Sequence, residues 1–345
     1  MSSSTVKRTF AIALGGVLMC TAVADVGADA PARRLAGSTR YETAVAVALA
    51  AFPTATDVVI ARGDLFPDAL AGSYFARVTT SPLLLVPPDG PVPAAVLAAL
   101  AHLREGGGLR LKIVGDTSAV SASVEAQLLA AAGLGASSYR TAGADRYATA
   151  AFIALSTAEP TSLVFLTSGE TYPDALAVGP ASYELEAPVL LTRRDSLPEW
   201  TATAIDRYTR PDRVVIVGGT AVVSAAVEAE VTVLCGCAVE RVAGANRQET
   251  ATRLADWLVA RYPARFDLSH VNLTRGDNFP DALALGPHGG REGAVTVFTN
   301  SATELGAVTT QWLRAHATEI LSLDLIGDET AIDSNTAQAA IAASS

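Results

Sequence analysis

The chain has 345 residues, half of them apolar, with 35 acidic against 25 basic side chains and a net charge of −10. That is too long for one typical domain and too apolar for a disordered chain, so two or three compact units are expected. The acidic balance argues against nucleic acid, whose binding needs clustered Lys and Arg. A mean hydropathy of +0.32 raises the membrane question. The longest uncharged stretch, however, is the 16 residues 9–24, short of the roughly 18 that span a bilayer.

In chain order the first signal is an address. Lys7 and Arg8 precede an apolar run, and Ala22-Val-Ala24 follows where a cleavage site belongs. This is the tripartite pattern of a secretory signal peptide, residues 1–24, with the mature chain starting near Asp25. Cys20 allows a lipoprotein reading, but Met19 sits where a small residue is wanted. Removal of residues 1–24 takes away two basic and no acidic side chains and leaves a net charge of −12. Cys235 and Cys237 then remain, and the spacing leaves a local disulfide and two inert thiols equally open.

Beyond that point one unit is written three times. Arg34-Leu-Ala-Gly-Ser-Thr-Arg40-Tyr-Glu-Thr-Ala44 recurs as Arg140-Thr-Ala-Gly-Ala-Asp-Arg146-Tyr-Ala-Thr-Ala150 and Arg241-Val-Ala-Gly-Ala-Asn-Arg247-Gln-Glu-Thr-Ala251. Gly63-Asp-Leu-Phe-Pro-Asp68-Ala-Leu-Ala71 recurs as Gly169-Glu-Thr-Tyr-Pro-Asp174-Ala-Leu-Ala177 and Gly276-Asp-Asn-Phe-Pro-Asp281-Ala-Leu-Ala284. A third block is Ser81-Pro-Leu-Leu-Leu-Val86, Ala187-Pro-Val-Leu-Leu-Thr192 and Gly293-Ala-Val-Thr-Val-Phe298. A fourth is Leu111-Lys-Ile-Val-Gly-Asp116, Val214-Val-Ile-Val-Gly-Gly219 and Leu323-Asp-Leu-Ile-Gly-Asp328. The period is 106 or 107 residues, and the expected divisions are residues 25–136, 137–237 and 238–345. Units of this size can each hold a core.

Within one unit, short β-branched runs alternate with helical patterns. Asp57-Val-Val-Ile-Ala61 reads as a strand covered on both faces. Pro67 suits a first helical turn. Leu83–Val86 reads as the next strand, residues 92–103 as a helix, and Arg110–Val114 as a further strand. Ser121 then caps a helix running through Leu129. Such alternation implies an α/β fold with parallel sheets and right-handed crossovers, one three-layer module per repeat.

The four blocks together resemble the cell-wall-binding repeat type 2 family, over residues 32–345. The resemblance implies Rossmann- or toprim-like modules packed as a pseudo-threefold trimer within one chain, so that a monomer with an internal trimer is expected. It also implies non-covalent attachment to an anionic cell-wall polymer, a polysaccharide or teichoic-acid-like chain. Two departures lie in the third copy. Gln248 stands where the other copies have Tyr41 and Tyr147, and Val295-Thr-Val297 replaces the Leu-rich run.

Two sets of recurring charges are the candidate site. Asp68, Asp174 and Asp281 read first as acids starting a helix, favoured by the macrodipole and free N–H groups. A Ca²⁺ site or a carboxylate pair for glycan cleavage are the sharper alternatives. Arg40, Arg146 and Arg247 recur at a helix start, where a cation opposes the dipole. They therefore either pair with those acids or contact the anionic ligand. Arg34, Arg140 and Arg241 divide the same way. Arg62 and Arg275 lie at a strand's C-terminal end, where open parallel sheets place ligands, and Ser168 fills that position in the second copy. Arg40, Arg146, Arg247, Arg62 and Arg275 are therefore the candidate polymer contacts.

No phosphate-binding loop, nucleophile elbow or metal spacing is present. His102, His270, His288 and His316 share no repeat position, and His288, in Pro287-His-Gly-Gly290, reads as a loop residue. The expectation is a secreted wall-binding protein without catalytic residues, metal or cofactor. A surface adhesin or lattice protein with a protein partner is the main alternative, and a wall-glycan hydrolase a weaker one.

Overall fold

The computed structural model describes residues 32–104, 107–156, 161–278 and 280–345. The signal-peptide pattern and the start near Asp25 lie outside the described residues. The first copy runs β1 (Ala32–Leu35), α1 (Arg40–Ala51), β2 (Asp57–Arg62), α2 (Pro67–Val78), β3 (Leu83–Val86), α3 (Ala94–Leu103), β4 (Arg110–Val114) and α4 (Ala122–Ala132). The second runs β5 (Ser137–Thr141), α5 (Arg146–Ala154), β6 (Leu163–Ser168), α6 (Val178–Glu184), β7 (Val189–Thr192), α7 (Glu199–Thr203), β8 (Arg213–Val217) and α8 (Ala225–Cys235). The third runs β9 (Ala238–Val242), α9 (Arg247–Arg261), β10 (His270–Arg275), α10 (Leu285–Arg291), β11 (Val295–Thr299), α11 (Ala307–Ala315), β12 (Ser322–Ile326) and α12 (Ser334–Ala343).

These strands make three four-stranded sheets, all parallel, in the orders β3-β2-β4-β5, β7-β6-β8-β9 and β1-β12-β10-β11. The fold is α/β in three modules, as the strand–helix alternation implies. The sheets do not follow the sequence repeats, however. The first strand of each copy joins the sheet of the preceding copy, β5 on β4 and β9 on β8. β1 closes the ring on β12, with Arg33 in register with Asp324.

Local signals are placed well. Pro67 is the first residue of α2, and the Ser121 hydroxyl accepts the Val124 N–H at 3.2 Å to start α4. α3 starts at Ala94 rather than residue 92 because Pro93 holds an extended ψ of 137°. In the second and third copies the Pro-Asp-Ala-Leu-Ala segment opens as a 3₁₀ turn, Ala175–Ala177 and Asp281–Ala284, before α6 and α10 begin. Cys235 and Cys237, left open from the sequence, are disulfide-bonded.

The helices α2, α6 and α10 meet in the middle of the molecule. Their contact rests on residues that occupy the same place in each copy, Ser73, Gly179 and Gly286. A Cβ on Gly286 would fall 2.1 Å from the Ser73 Oγ, and one on Gly179 would fall 3.2 Å from the Gly286 Cα. The same packing corrects the reading of His288. Pro287-His-Gly-Gly290 looks like a loop, but it lies within α10, and a Cβ on Gly289 or Gly290 would meet Pro180 or Tyr183 within 2.7 Å. The glycines serve close helix approach, and His288 is 1% exposed. Its Nε2 lies 2.9 Å from Asp324 Oδ2, and Asp324 also takes both the Nε and Nη2 of Arg33 at 2.9 and 2.6 Å. That cluster ties β1 to β12 and α10.

At the far ends of the central helices the copies are linked by Arg77–Glu186 at 2.7 Å and Arg265–Glu184 at 2.8 Å. The chain turns there through a left-handed residue, Thr80 (φ 49°), Glu186 (φ 53°) or Gly293 (φ 62°). Thr80 and Glu186 are exposed, but a Cβ on Gly293 would lie 2.6 Å from the backbone oxygen of Arg265. Gly293→Ala is therefore expected to lose about 2 kcal/mol or more, combining left-handed strain with a backbone clash. Urea unfolding checks this, and an unchanged midpoint would refute it.

Candidate inter-repeat clefts

The loop before the first helix of each copy is built from its own residues. The Gly37, Gly143 and Gly244 N–H groups donate to the hydroxyls of Thr43, Thr149 and Thr250 at 3.2, 3.0 and 3.0 Å. Thr39, Asp145 and Asn246 cap α1, α5 and α9, each side chain accepting an N–H three residues on. The next residue in each case is the recurring arginine. Its Nη1 donates to a backbone carbonyl of the same copy: Arg40 to Gly63 at 2.7 Å, Arg146 to Gly169 at 2.6 Å and Arg247 to Gly276 at 2.7 Å. These bonds hold each guanidinium over the C-terminal ends of the strands without neutralising its charge. The sequence had offered a carboxylate or a ligand as the partner, not a glycine carbonyl.

The other recurring arginines face the preceding copy. Arg140 donates to the carbonyls of Gly115 and Val120 and to Glu125 at 2.6 Å. Arg241 donates to Gly218 O and Glu228, and Arg34 to Gly327 O and Ile332 O. These three grip the turn after the Ile-Val-Gly strand and stitch copy to copy.

The recurring acids also look across a boundary. Asp68 is the second residue of α2, Asp281 opens its 3₁₀ turn, and Asp174 immediately precedes its own. The Thr250 hydroxyl bonds to Asp174, and the Thr43 hydroxyl bonds to Asp281. In the corresponding place Asp68 and Thr149 line a cleft of about 210 Å³ with Arg62, Gly115, Asp116 and Arg146. Room for each carboxylate comes from the glycine of the Ile-Val-Gly block. A Cβ at Gly115, Gly218 or Gly327 would fall 2.8, 3.2 or 2.9 Å from the Asp68, Asp174 or Asp281 Oδ2. All three glycines also hold a positive φ, 94°, 124° and 109°.

Burial in these clefts pushes all three carboxyls above their ordinary range. Arg62 and Arg146 oppose the shift at Asp68, and Thr250 and Arg247 oppose it at Asp174. Asp281 is pushed up to about 6, with the Asp328 charge adding to its burial. The clefts thus place a guanidinium of one copy beside a poorly solvated carboxylate of the copy before it, three times around the ring.

The strand-end arginines are already engaged. Arg62 holds Asp64 through Nε and Nη2 at 2.7 and 2.6 Å, and Arg275 holds Asp277 in the same two-pronged way. These bonds keep Asp64 and Asp277 below the usual carboxylate range. The second copy has no such pair. Ser168 Oγ accepts the N–H groups of Glu170 and Thr171 at 3.1 Å each, and Glu170 accepts the backbone N–H of Arg194 at 2.9 Å. Beside them Arg193 stacks on the Tyr147 ring, its Cζ 4.8 Å from the centroid. Arg193 is a site residue the sequence reading missed.

The third copy's departures are structural. Gln248 is buried and donates to Thr299 O and Asn300 Oδ1 at 3.1 Å each. β11 is buried along its whole length. Among the described residues there is no group of three or more His, Cys, Asp or Glu side chains placed to hold a metal, and no helix is long and apolar enough to cross a membrane.

Three parallel α/β modules joined through shared strands, with a cation–carboxylate cleft at each junction, define a repeat-built binding scaffold. The chain belongs to the cell wall binding domain 2 family, whose model matches residues 34–125, 140–228 and 241–337. It is 31% identical to the N-acetylmuramoyl-L-alanine amidase LytC of Bacillus subtilis over 74% of its own length and 48% of the amidase. It is 26% identical to the amidase enhancer of the same organism, over 72% of this chain and 32% of that one. It therefore spans half or less of these relatives. Its fold is shared with Cwp6 from Clostridium difficile, with a TM-score of 0.78 at 22% identity over 94% of this chain and 51% of that one. Cwp8 from the same organism superposes with a TM-score of 0.76 at 23% identity, over 90% and 51%.

Proposed function

We propose that the chain is exported through residues 1–24 and attaches non-covalently, as a monomer, to an anionic cell-wall polymer. Family membership supports wall binding, and the chain is similar to LytC, an N-acetylmuramoyl-L-alanine amidase. The observation that carries the polymer reading is the threefold recurrence of a carbonyl-tethered guanidinium at a copy boundary. Arg40, Arg146 and Arg247 supply one cation per cleft, and Arg62 and Arg275 add two at the strand ends once a polymer anion competes with Asp64 and Asp277. A chain that reaches several weak sites gains avidity although no single site is strong. The overall negative charge does not oppose this, because contact depends on the local field.

The reading is binding rather than turnover. Asp68, Asp174 and Asp281 recur in all three copies and serve the copy boundaries, whereas a hydrolase needs one distinct acid and base. The test is co-sedimentation with purified walls before and after extraction of the anionic polymer. Retention is expected on intact walls, loss on extracted ones, and weakening by salt, since exposed charges are screened over about 8 Å at physiological ionic strength. Release of soluble wall fragments would overturn the non-catalytic reading. Retention that survives extraction would point to a protein or glycan partner instead.

A further inference from the structure

The three copies are not chemically alike at their strand ends. Arg62 and Arg275 each spend their guanidinium on a carboxylate two residues on. In the second copy that cation is gone, and Ser168 turns its hydroxyl to the backbone. The strand beside it restores the charge. β7 lies in register with β6, Thr192 opposite Ser168, and runs directly into Arg193 and Arg194, where the other copies have Pro87-Pro88 and Asn300-Ser301.

Arg193 differs from the strand-end arginines in what holds it. Its Cζ lies over the Tyr147 ring, 4.8 Å from the centroid, and among the described residues no carboxylate forms an ion pair with it. Glu170, in the loop after the neighbouring strand, is turned to the Arg194 backbone N–H. Arg194 is exposed, with only the exposed Asp195 at 3.5 Å. Tyr147 is itself fixed, since it is 6% exposed and packed against Gly169. Its phenol feels Arg193 and Arg146 on one side of the balance and Glu170 and Asp145 on the other. Arg146 is the residue after Asp145 and lines the cleft between the first and second copies.

We propose that Arg193, held over the Tyr147 ring, is the strongest of these individually weak anion contacts, taking a phosphate or carboxylate group of the wall polymer through its outward guanidinium edge. This rests on the polymer reading above. A stacked guanidinium keeps its N–H fork free in the ring plane and is ordered before binding, so little entropy is lost when an anion arrives. Arg62 and Arg275 must first give up an internal carboxylate, which Arg193 need not do.

The test compares Arg193→Gln, Arg193→Lys and Arg207→Gln, the last removing another exposed charge from the second copy, outside the clefts. Each is measured for retention on intact and polymer-extracted walls across a salt series, with urea unfolding in parallel. Arg193→Gln should weaken binding at least tenfold and flatten its salt dependence, with an unchanged unfolding midpoint. Arg193→Lys should fall between, because it keeps the charge but loses the planar fork, and Arg207→Gln should stay within twofold of wild type. Polyphosphate and polyglutamate as competitors distinguish phosphate from carboxylate as the group bound. Polymer-dependent retention that is unchanged in Arg193→Gln overturns the Arg193 contact alone. Wild-type retention that ignores extraction overturns the polymer reading, and the Arg193 contact with it.

Discussion

Gly286→Ala is expected to destabilise the whole molecule by about 3 kcal/mol, the upper range for forcing one methyl into a packed core. The added carbon would fall 2.1 Å from the Ser73 Oγ and 2.5 Å from its Cβ. Ser73 is 1% exposed, and turning its hydroxyl away would leave the Cβ clash in place. Because all three central helices meet there, the cost falls on the joint between copies and not on one module. Ser73→Gly should rescue the variant, since it gives the first copy the residue the other two already have. The double variant should regain most of the lost stability in urea, with the remaining contact at Gly179 O a tolerable 3.3 Å. Equal midpoints for wild type and Gly286→Ala would mean that the three helices do not meet in this way.

The second large effect concerns Asp281 and has the opposite sign to ordinary acid denaturation. Its carboxyl titrates at about 6 in the folded chain against about 4 when unfolded. Between those values the folded chain holds a proton that the unfolded chain has released. Stability therefore falls as the pH rises through this window, and the full penalty is present above about 6. A shift of this size is worth about 2–3 kcal/mol at 1.36 kcal/mol per unit. Asp281→Asn removes the charge but keeps an oxygen for the Thr43 hydroxyl. It should be more stable than wild type by that amount at pH 7.5 and nearly equal at pH 4, as read from urea midpoints at the two pH values. A variant no more stable at pH 7.5 would show that the carboxylate is better solvated than its burial implies. Asp68 and Asp174 are shifted in the same direction. If the clefts take an anionic polymer, neutralising these acids should also tighten wall binding as the pH falls.

Much of the fold was legible because its signals are local. Ser121 and Pro67 each act on their own turn, and the β-branched runs at 57–61 and 110–114 need covering wherever they lie. What could not be read was which sheet a strand joins. Alternation of strand and helix is satisfied equally whether β5 pairs within its own copy or with β4 of the copy before. The choice is made by contacts between copies, Arg140 on Gly115 for β5 and Arg34 on Gly327 and Arg33 on Asp324 for β1. The site divides in the same way. The positions of Asp68, Asp174 and Asp281 at helix starts were visible, but not that their carboxyls face the threonines of the next copy. The glycine carbonyls that hold Arg40, Arg146 and Arg247 carry no side chain to advertise them. Arg193 did leave a trace. Aligning the ends of β3, β7 and β11 sets an Arg-Arg pair against Pro-Pro and Asn-Ser, beside a copy whose own strand-end arginine is missing.

The sharing of strands also bears on how such a chain can change over time. Each copy lends one strand backwards, and β1 reaches the last sheet because three steps bring the molecule back to its beginning. Unequal recombination that deletes or duplicates one copy would break that count. The sheet left at the seam would then offer an unpaired row of backbone donors and acceptors to other molecules. A binding face of this kind can thus lengthen or lose loops freely, while its number of copies is held at three by closure and not by demand for more ligand sites.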